Sequence, residues 1–172
     1  MNIYFSHGKE SGPKGYKIKR LSAIAKDMGC GIYSIDYTAI SCPEKRADLL
    51  IKYIQLQEKG TPYILVGSSM GGYVSLAASE TISPKAIFLM APALYINGYQ
   101  KQHFIPKTKH IEIVHGWKDT VISPNHSLRF AQSLHCDLHL INGDHRLTDA
   151  ITSIEALFSN FLKKHCINPN DK

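Results

Sequence analysis

Cysteine is scarce in this sequence, and its few cysteines form no pattern. The four among 172 residues are Cys30, Cys42, Cys136 and Cys166, with no C-x-x-C pair and no zinc-like spacing. The sequence also lacks an apolar run of the about 20 residues that cross a bilayer, and a signal peptide at its start. We therefore expect a cytoplasmic protein without stable membrane association.

A concentrated basic patch is also missing, although the formal net charge is +6. Lysine and arginine are spread along the chain, and the short clusters at residues 17–20 and 163–164 are typical of solvated helix faces. Since no nucleic-acid recognition motif accompanies the charge, we expect no nucleic-acid partner. Nothing in the sequence indicates an oligomeric state.

The length favours a single domain with one active site. We place this domain at residues 1–165 and a C-terminal tail at residues 166–172. No internal repeat or low-complexity segment interrupts it.

Short apolar runs alternate with helical patterns along the whole chain. Strands are predicted at residues 2–6, 32–35, 63–66, 86–90, 111–114 and 138–141. Helices are predicted between them, one opened by a Ser41-x-x-Glu44 capping box and one by Ser123-Pro124 with Leu128, Ala131 and Leu134 on its apolar side. This alternation predicts an α/β fold, a three-layer sandwich with about six mostly parallel strands.

The third strand ends in Gly67-x-Ser69-x-Gly71, immediately before a helical pattern. This is the nucleophile-elbow pattern, in which a serine occupies a tight turn and the glycines let strand and helix approach closely. A glycine-softened loop would give the same three residues, but the flanking strand and helix favour a nucleophile at Ser69.

A serine hydroxyl needs a base within hydrogen-bond reach and a third group to orient that base. Ligands of parallel sheets bind beyond the carboxyl ends of the strands, and Asp119 and His145 follow the fifth and sixth strands there. The order Ser69, Asp119, His145 is that of α/β-hydrolase triads. We therefore predict these three as the catalytic residues.

Other residues could fill two of these roles. His115 and His7 also lie near strand ends, but His115 precedes Asp119 as part of the acid loop. Asp144 is adjacent to His145 in the chain, so its side chain diverges from the ring, and Asp149 is placed as an early-helix carboxylate. His145 and Asp119 remain the preferred base and acid.

Acyl transfer also requires two N–H groups aimed at the developing oxyanion. The N–H of Met70, directly after the nucleophile, is one candidate. The loop after the first strand should supply the other, from Lys9 or, as the second choice, Glu10.

Four segments together, residues 5–13, 67–72, 116–119 and 143–145, resemble small α/β-hydrolases, and most closely compact bacterial YqiA-like esterases. The likeness extends over nearly the whole chain. It implies an α/β-hydrolase fold with a minimal cap, a triad of Ser69, Asp119 and His145, no cofactor, and hydrolysis of a small-molecule ester or thioester. A protein-binding module on the same fold is the alternative, because fold does not fix function.

Residues 91–109 occupy the place where larger α/β-hydrolases carry a cap domain. The aromatic and aliphatic side chains of this segment could simply pack on the sheet. As a group beside Trp117, however, they favour a second interpretation, in which they form the wall of an open, shallow acyl site. The group is Tyr95, Ile96, Tyr99, Phe104 and Ile105. We expect such a site to prefer short acyl chains.

Overall fold

The computed structural model describes residues 1–58 and 60–166, and its centre is a six-stranded parallel sheet. The sheet order is β2-β1-β3-β4-β5-β6, and every neighbouring pair is parallel. The strands are β1 (Asn2–Ser6), β2 (Gly31–Ile35), β3 (Tyr63–Ser68), β4 (Ala86–Met90), β5 (Ile111–Gly116) and β6 (Asp137–Ile141).

Within the part of the chain that the structure describes, five helices cover the two faces of the sheet. They are α1 (Tyr16–Asp27), α2 (Pro43–Gln57), α3 (Met70–Ser79), α4 (Pro124–Leu134) and α5 (Ile151–Cys166). Residues of α2, α3 and α4 share one buried apolar cluster with the sheet, while residues of α1 and α5 share the other. The predicted three-layer α/β sandwich is confirmed, and every strand pair among the described residues is parallel.

The central strands are apolar because helices cover both of their faces. All five residues of β4 are buried, as expected for a central strand of a parallel sheet. β3 and β5 are each two residues longer than predicted, since Gly67 pairs with Ser6 and Gly116 with Ile141 in the ladders. Short apolar runs therefore located these strands but underestimated their carboxyl ends.

The predicted capping box at the start of α2 is wrong. Cys42 is the N-cap residue, and no side chain caps the helix. The Glu44 carboxylate instead accepts hydrogen bonds from the Tyr73 hydroxyl at 2.8 Å and from the Gln100 N–H at 2.9 Å. These two partners are distant in the chain, and the Cys42 thiol, at 3.1 Å from Oε2 of Glu44, is a local one.

The start of α4 is as predicted, and of its predicted apolar side Ala131 is buried and Leu134 packs against the core. The Ser123 hydroxyl caps the helix by accepting from the Asn125 N–H. Ser127, Phe130 and Ala131 are the buried residues, whereas Leu128 is 39% exposed.

The strand order reverses at β1, since β2 lies on one side of it and β3 on the other. Ligands of parallel sheets bind where such reversals leave a crevice beyond the carboxyl ends of the strands. The loop after β1 and the turn after β3 meet there.

Two further expectations concern membrane-spanning helices and the C-terminal tail. Among the helices of residues 1–58 and 60–166, none combines the length and apolarity needed to cross a bilayer. Cys166 is the last residue of α5, and the rest of the predicted tail lies outside the described residues. The single-domain division stays a prediction.

Candidate active site

Ser69 occupies the turn between β3 and α3 in a strained backbone conformation. Its φ of 53° and ψ of −121° lie where residues with a side chain are rarely found, at a cost of about 1–3 kcal/mol. A Cβ on Gly67 would lie 2.4 Å from the Gly71 oxygen, and one on Gly71 only 1.9 Å from the Ser6 oxygen. Both glycines are therefore required for the turn to close.

The end of β4 holds this turn in place. The Ser69 N–H donates to the Met90 oxygen at 3.0 Å, and the Ala93 N–H donates to the Ser69 oxygen at 2.9 Å. The N–H and the C=O of Ser69 are therefore both hydrogen-bonded to the segment that ends β4. These contacts help to hold Ser69 in its strained conformation.

His145 lies in the loop after β6 and contacts both of its expected partners. Its Nε2 is 3.0 Å from Oγ of Ser69, and its Nδ1 is 2.7 Å from Oδ2 of Asp119. A carboxylate can only accept, so Nδ1 carries the ring proton and Nε2 is left to accept from the Ser69 hydroxyl. This orientation suits removal of the hydroxyl proton.

Asp119 is buried, and several donors stabilise its charge. Burial opposes ionisation, but the Ile122 N–H, the His145 ring and the Val121 N–H outweigh it, so the pKa of Asp119 lies below its ordinary value. The carboxylate therefore remains charged at neutral pH.

His115 is a fully buried member of this cluster that the sequence placed only in the acid loop. It belongs to β5, and its Nε2 lies 3.0 Å from both Oδ2 of Asp119 and the Ile122 oxygen. Its Nδ1 is 2.7 Å from the Ser127 hydroxyl. Because both partners of Nε2 are acceptors, Nε2 carries the proton and Nδ1 accepts from Ser127. Burial lowers the pKa of His115, which agrees with a neutral ring.

The alternative acids lie outside this chain of contacts. Oδ1 of Asp144 accepts from the Leu147 N–H at 2.9 Å within its own loop. Asp149 is exposed, in a turn two residues before α5. Of the three aspartates considered, Asp119 is the one hydrogen-bonded to His145.

The loop after β1 lies against Ser69. A Cβ built on Gly8 would be 3.4 Å from Cβ of Ser69, so the backbone passes directly beside that residue. Lys9 and Glu10 follow with exposed side chains, and Met70 is the first residue of α3. The backbone groups proposed for the oxyanion hole are therefore near Ser69 in space.

Residues 91–109 cover α3 and α4 instead of forming the predicted wall. Phe104 is buried against Tyr73 and Phe130, and the Tyr99 ring is 4.7 Å from that of Tyr73. Ile105 is 82% exposed. Tyr99 and Phe104 thus pack on neighbouring helices, and not on the sheet as the alternative interpretation held.

Arg46 is the residue near the site that sequence reasoning missed. It is 1% exposed, on the buried stripe of α2 with Ala47, Leu50 and Ile54. Arg46 lies four residues before Leu50, and this helical spacing indicates that the two share the buried face. Arginine on an amphipathic helix is, however, normally assigned to the solvent face.

The site residues include no chelating cluster. No group of three or more His, Cys, Asp or Glu side chains within residues 1–58 and 60–166 is arranged to hold a metal ion.

A protein-family model described as "Uncharacterised protein family (UPF0227)" matches residues 1–107. None of the curated proteins matches the chain significantly. The sequence match covers β1 to β4 and the turn at Ser69, whereas Asp119 and His145, the predicted acid and base, lie beyond it.

Several solved structures share the fold over nearly the whole chain. A candidate hydrolase of the alpha/beta superfamily from Xanthomonas campestris pv. campestris is 25% identical with a TM-score of 0.86, covering 95% of this chain and 98% of that one. Est1E from Butyrivibrio proteoclasticus is 16% identical with a TM-score of 0.79, covering 96% and 88%. A serine hydrolase without lid from Xanthomonas campestris is 14% identical with a TM-score of 0.74, covering 98% and 84%.

Proposed function

We propose that this chain, which belongs to the uncharacterised protein family UPF0227 and to the α/β-hydrolase superfamily, is a serine hydrolase of small carboxylic esters or thioesters. The observation that carries the proposal is the continuous contact from Ser69 through His145 to Asp119. A protein-binding module would need neither this alignment nor a strained serine, so both features favour an enzyme.

The reaction follows from the positions of the protons. Oγ of Ser69 attacks the acyl carbon while Nε2 of His145 takes the hydroxyl proton, and Asp119 stabilises the imidazolium that forms. The tetrahedral intermediate collapses, and the leaving alcohol or thiol receives the proton from His145. Water then attacks the acyl-enzyme with the same histidine as base, which releases the acid and restores Ser69.

The chain itself supplies every group that this cycle needs, so we propose no cofactor. N–H groups of Lys9 and Met70 would bind the oxyanion. We further propose a free small-molecule substrate in the cytoplasm, without a nucleic-acid or stable membrane partner. Because Est1E has been solved with ferulic acid bound, feruloyl esters join short alkyl esters as substrates to test.

Labelling with a fluorophosphonate tests the nucleophile directly. The Ser69 oxygen should displace fluoride from phosphorus in the wild type, and Ser69→Ala should neither label nor hydrolyse p-nitrophenyl acetate, with a loss on the order of a thousandfold or more. Ser68→Ala, the neighbouring residue of β3, is the matched control and should label normally. Full activity of Ser69→Ala in a folded protein would refute the mechanism.

A further inference from the structure

Arg46 brings a buried guanidinium to the loop beside the nucleophile. Its Nε donates to the Ile40 oxygen at 2.6 Å, and its Nη1 lies 3.2 Å from the Gly8 oxygen and 3.4 Å from the His7 oxygen. Within residues 1–58 and 60–166 no carboxylate forms an ion pair with it. Burying a charge without a counterion is costly, so its neutral carbonyl partners indicate a specific role.

The His7 ring binds the same Gly8 oxygen. Its Nε2 accepts from the Tyr37 N–H at 3.0 Å, so the ring proton is on Nδ1, which donates to the Gly8 oxygen at 2.7 Å. His7 is buried, and the Arg46 guanidinium lies over the Tyr37 ring at 5.5 Å. Two donors held by packed neighbours thus fix the direction of one carbonyl.

The direction of this carbonyl determines where the next N–H points. In a trans peptide the C=O and the following N–H are antiparallel, so a Gly8 oxygen turned toward Arg46 turns the Lys9 N–H the opposite way. Gly8 lies against Ser69, and without a Cβ it could otherwise rotate freely.

We propose that Arg46, assisted by His7, is a positioning residue that holds the Gly8–Lys9 peptide with its N–H toward the oxyanion. This inference rests on the proposed hydrolase function. The charge of Arg46 also polarises the peptide through the Gly8 carbonyl, which makes the Lys9 N–H a stronger donor. The effect acts on the charged intermediate more than on the bound ester.

The test compares Arg46→Met with Lys45→Met, its exposed neighbour on the same helix. Without the Arg46 contact to the Gly8 oxygen, kcat for p-nitrophenyl acetate should fall about 100-fold, with KM nearly unchanged. This is the effect of removing one oxyanion donor. Affinity should fall similarly for a trifluoromethyl ketone, which Ser69 converts to an anionic adduct. Arg46→Lys should restore part of kcat, and Lys45→Met should match the wild type.

Circular dichroism and the thermal midpoint show whether each variant folds. If Arg46→Met does not fold, Arg46→Gln takes its place, because its shorter amide cannot reach the Ile40 and Gly8 oxygens together. Wild-type kcat and ketone affinity in a folded Arg46→Met or Arg46→Gln, even with a lowered midpoint, would overturn the positioning role alone. A wild-type protein that neither labels with fluorophosphonate nor hydrolyses esters would overturn the proposed function, and this inference with it.

Discussion

His115 donates from Nε2 to Oδ2 of Asp119 at 3.0 Å, and this is the oxygen that also contacts His145. One carboxylate oxygen therefore accepts from a fully buried ring and from the ring that reaches Ser69. Since Oδ1 of Asp119 is occupied by the N–H groups of Val121 and Ile122, the carboxylate has little freedom to rotate. The orientation of His145 is thus set by groups within the fold.

Asp119→Asn should lower kcat severely, by about 10³–10⁴-fold, with a smaller effect on KM. An amide can turn its NH₂ toward Nδ1 of His145 and favour the wrong ring tautomer. Asp144→Asn is the control, because its amide oxygen can still accept from the Leu147 N–H, and exposed Asp149→Asn is a second. Steady-state kinetics measure all three, and equal losses at Asp119 and Asp144 would contradict the assignment.

A separate prediction concerns Gly71, in the turn at Ser69. Gly71→Ala should destabilise the fold by about 3 kcal/mol or more, because its Cβ would lie 1.9 Å from the backbone oxygen of Ser6. Gly12→Ala is the control, since its Cβ would meet nothing closer than Thr38, at 3.8 Å. Urea unfolding compares the two, and similar midpoints for both variants would disprove the close contact between β1 and α3.

Three buried or half-buried histidines make stability sensitive to acid. Burial lowers the pKa of His7 and His115, and burial with the charges of His110, Lys85 and Lys164 lowers the pKa of His165 to about 4. Below the unfolded value of about 6.5 the unfolded chain binds more protons, so stability falls as the pH drops. Protonation of Asp119 lowers the stability of the fold further, but only below about pH 4.

The free energy of unfolding should therefore be lower at pH 5 than at pH 7.5. His165→Gln should remove about 1 kcal/mol of this difference, after allowance for the solvent screening of a half-buried ring. Exposed His103→Gln is the control and should keep the full difference. Equal urea stability of the wild type at the two pH values would contradict the prediction.

More of the fold than of the detailed contacts in the site could be predicted from the sequence. Alternating apolar runs locate the strands, and parallel pairing brings the loops carrying Ser69, Asp119 and His145 to one edge. Their catalytic roles stay predictions. Arg46 and the partners of Glu44 could not be predicted, because they depend on contacts between segments far apart in the chain.

The surroundings of Ser69 bear on which acyl groups would be accepted. The rings of Phe104 and Tyr99 pack against Tyr73 of α3. Trp117 and Val121, on either side of Asp119, are 61% and 67% exposed. These exposed side chains beside Asp119 indicate an open rim in place of the predicted wall.

An open rim should give a preference for short acyl chains. Each buried methylene contributes about 0.8 kcal/mol, so the two added between acetate and butyrate increase kcat/KM at most about 15-fold. Longer chains would extend into water and add nothing, so we expect a plateau and no activation at an oil interface. A series of p-nitrophenyl esters from acetate to palmitate measures this, with Trp117→Ala expected to reduce the initial gain. A steady rise to palmitate would show a deep acyl tunnel and refute the open site.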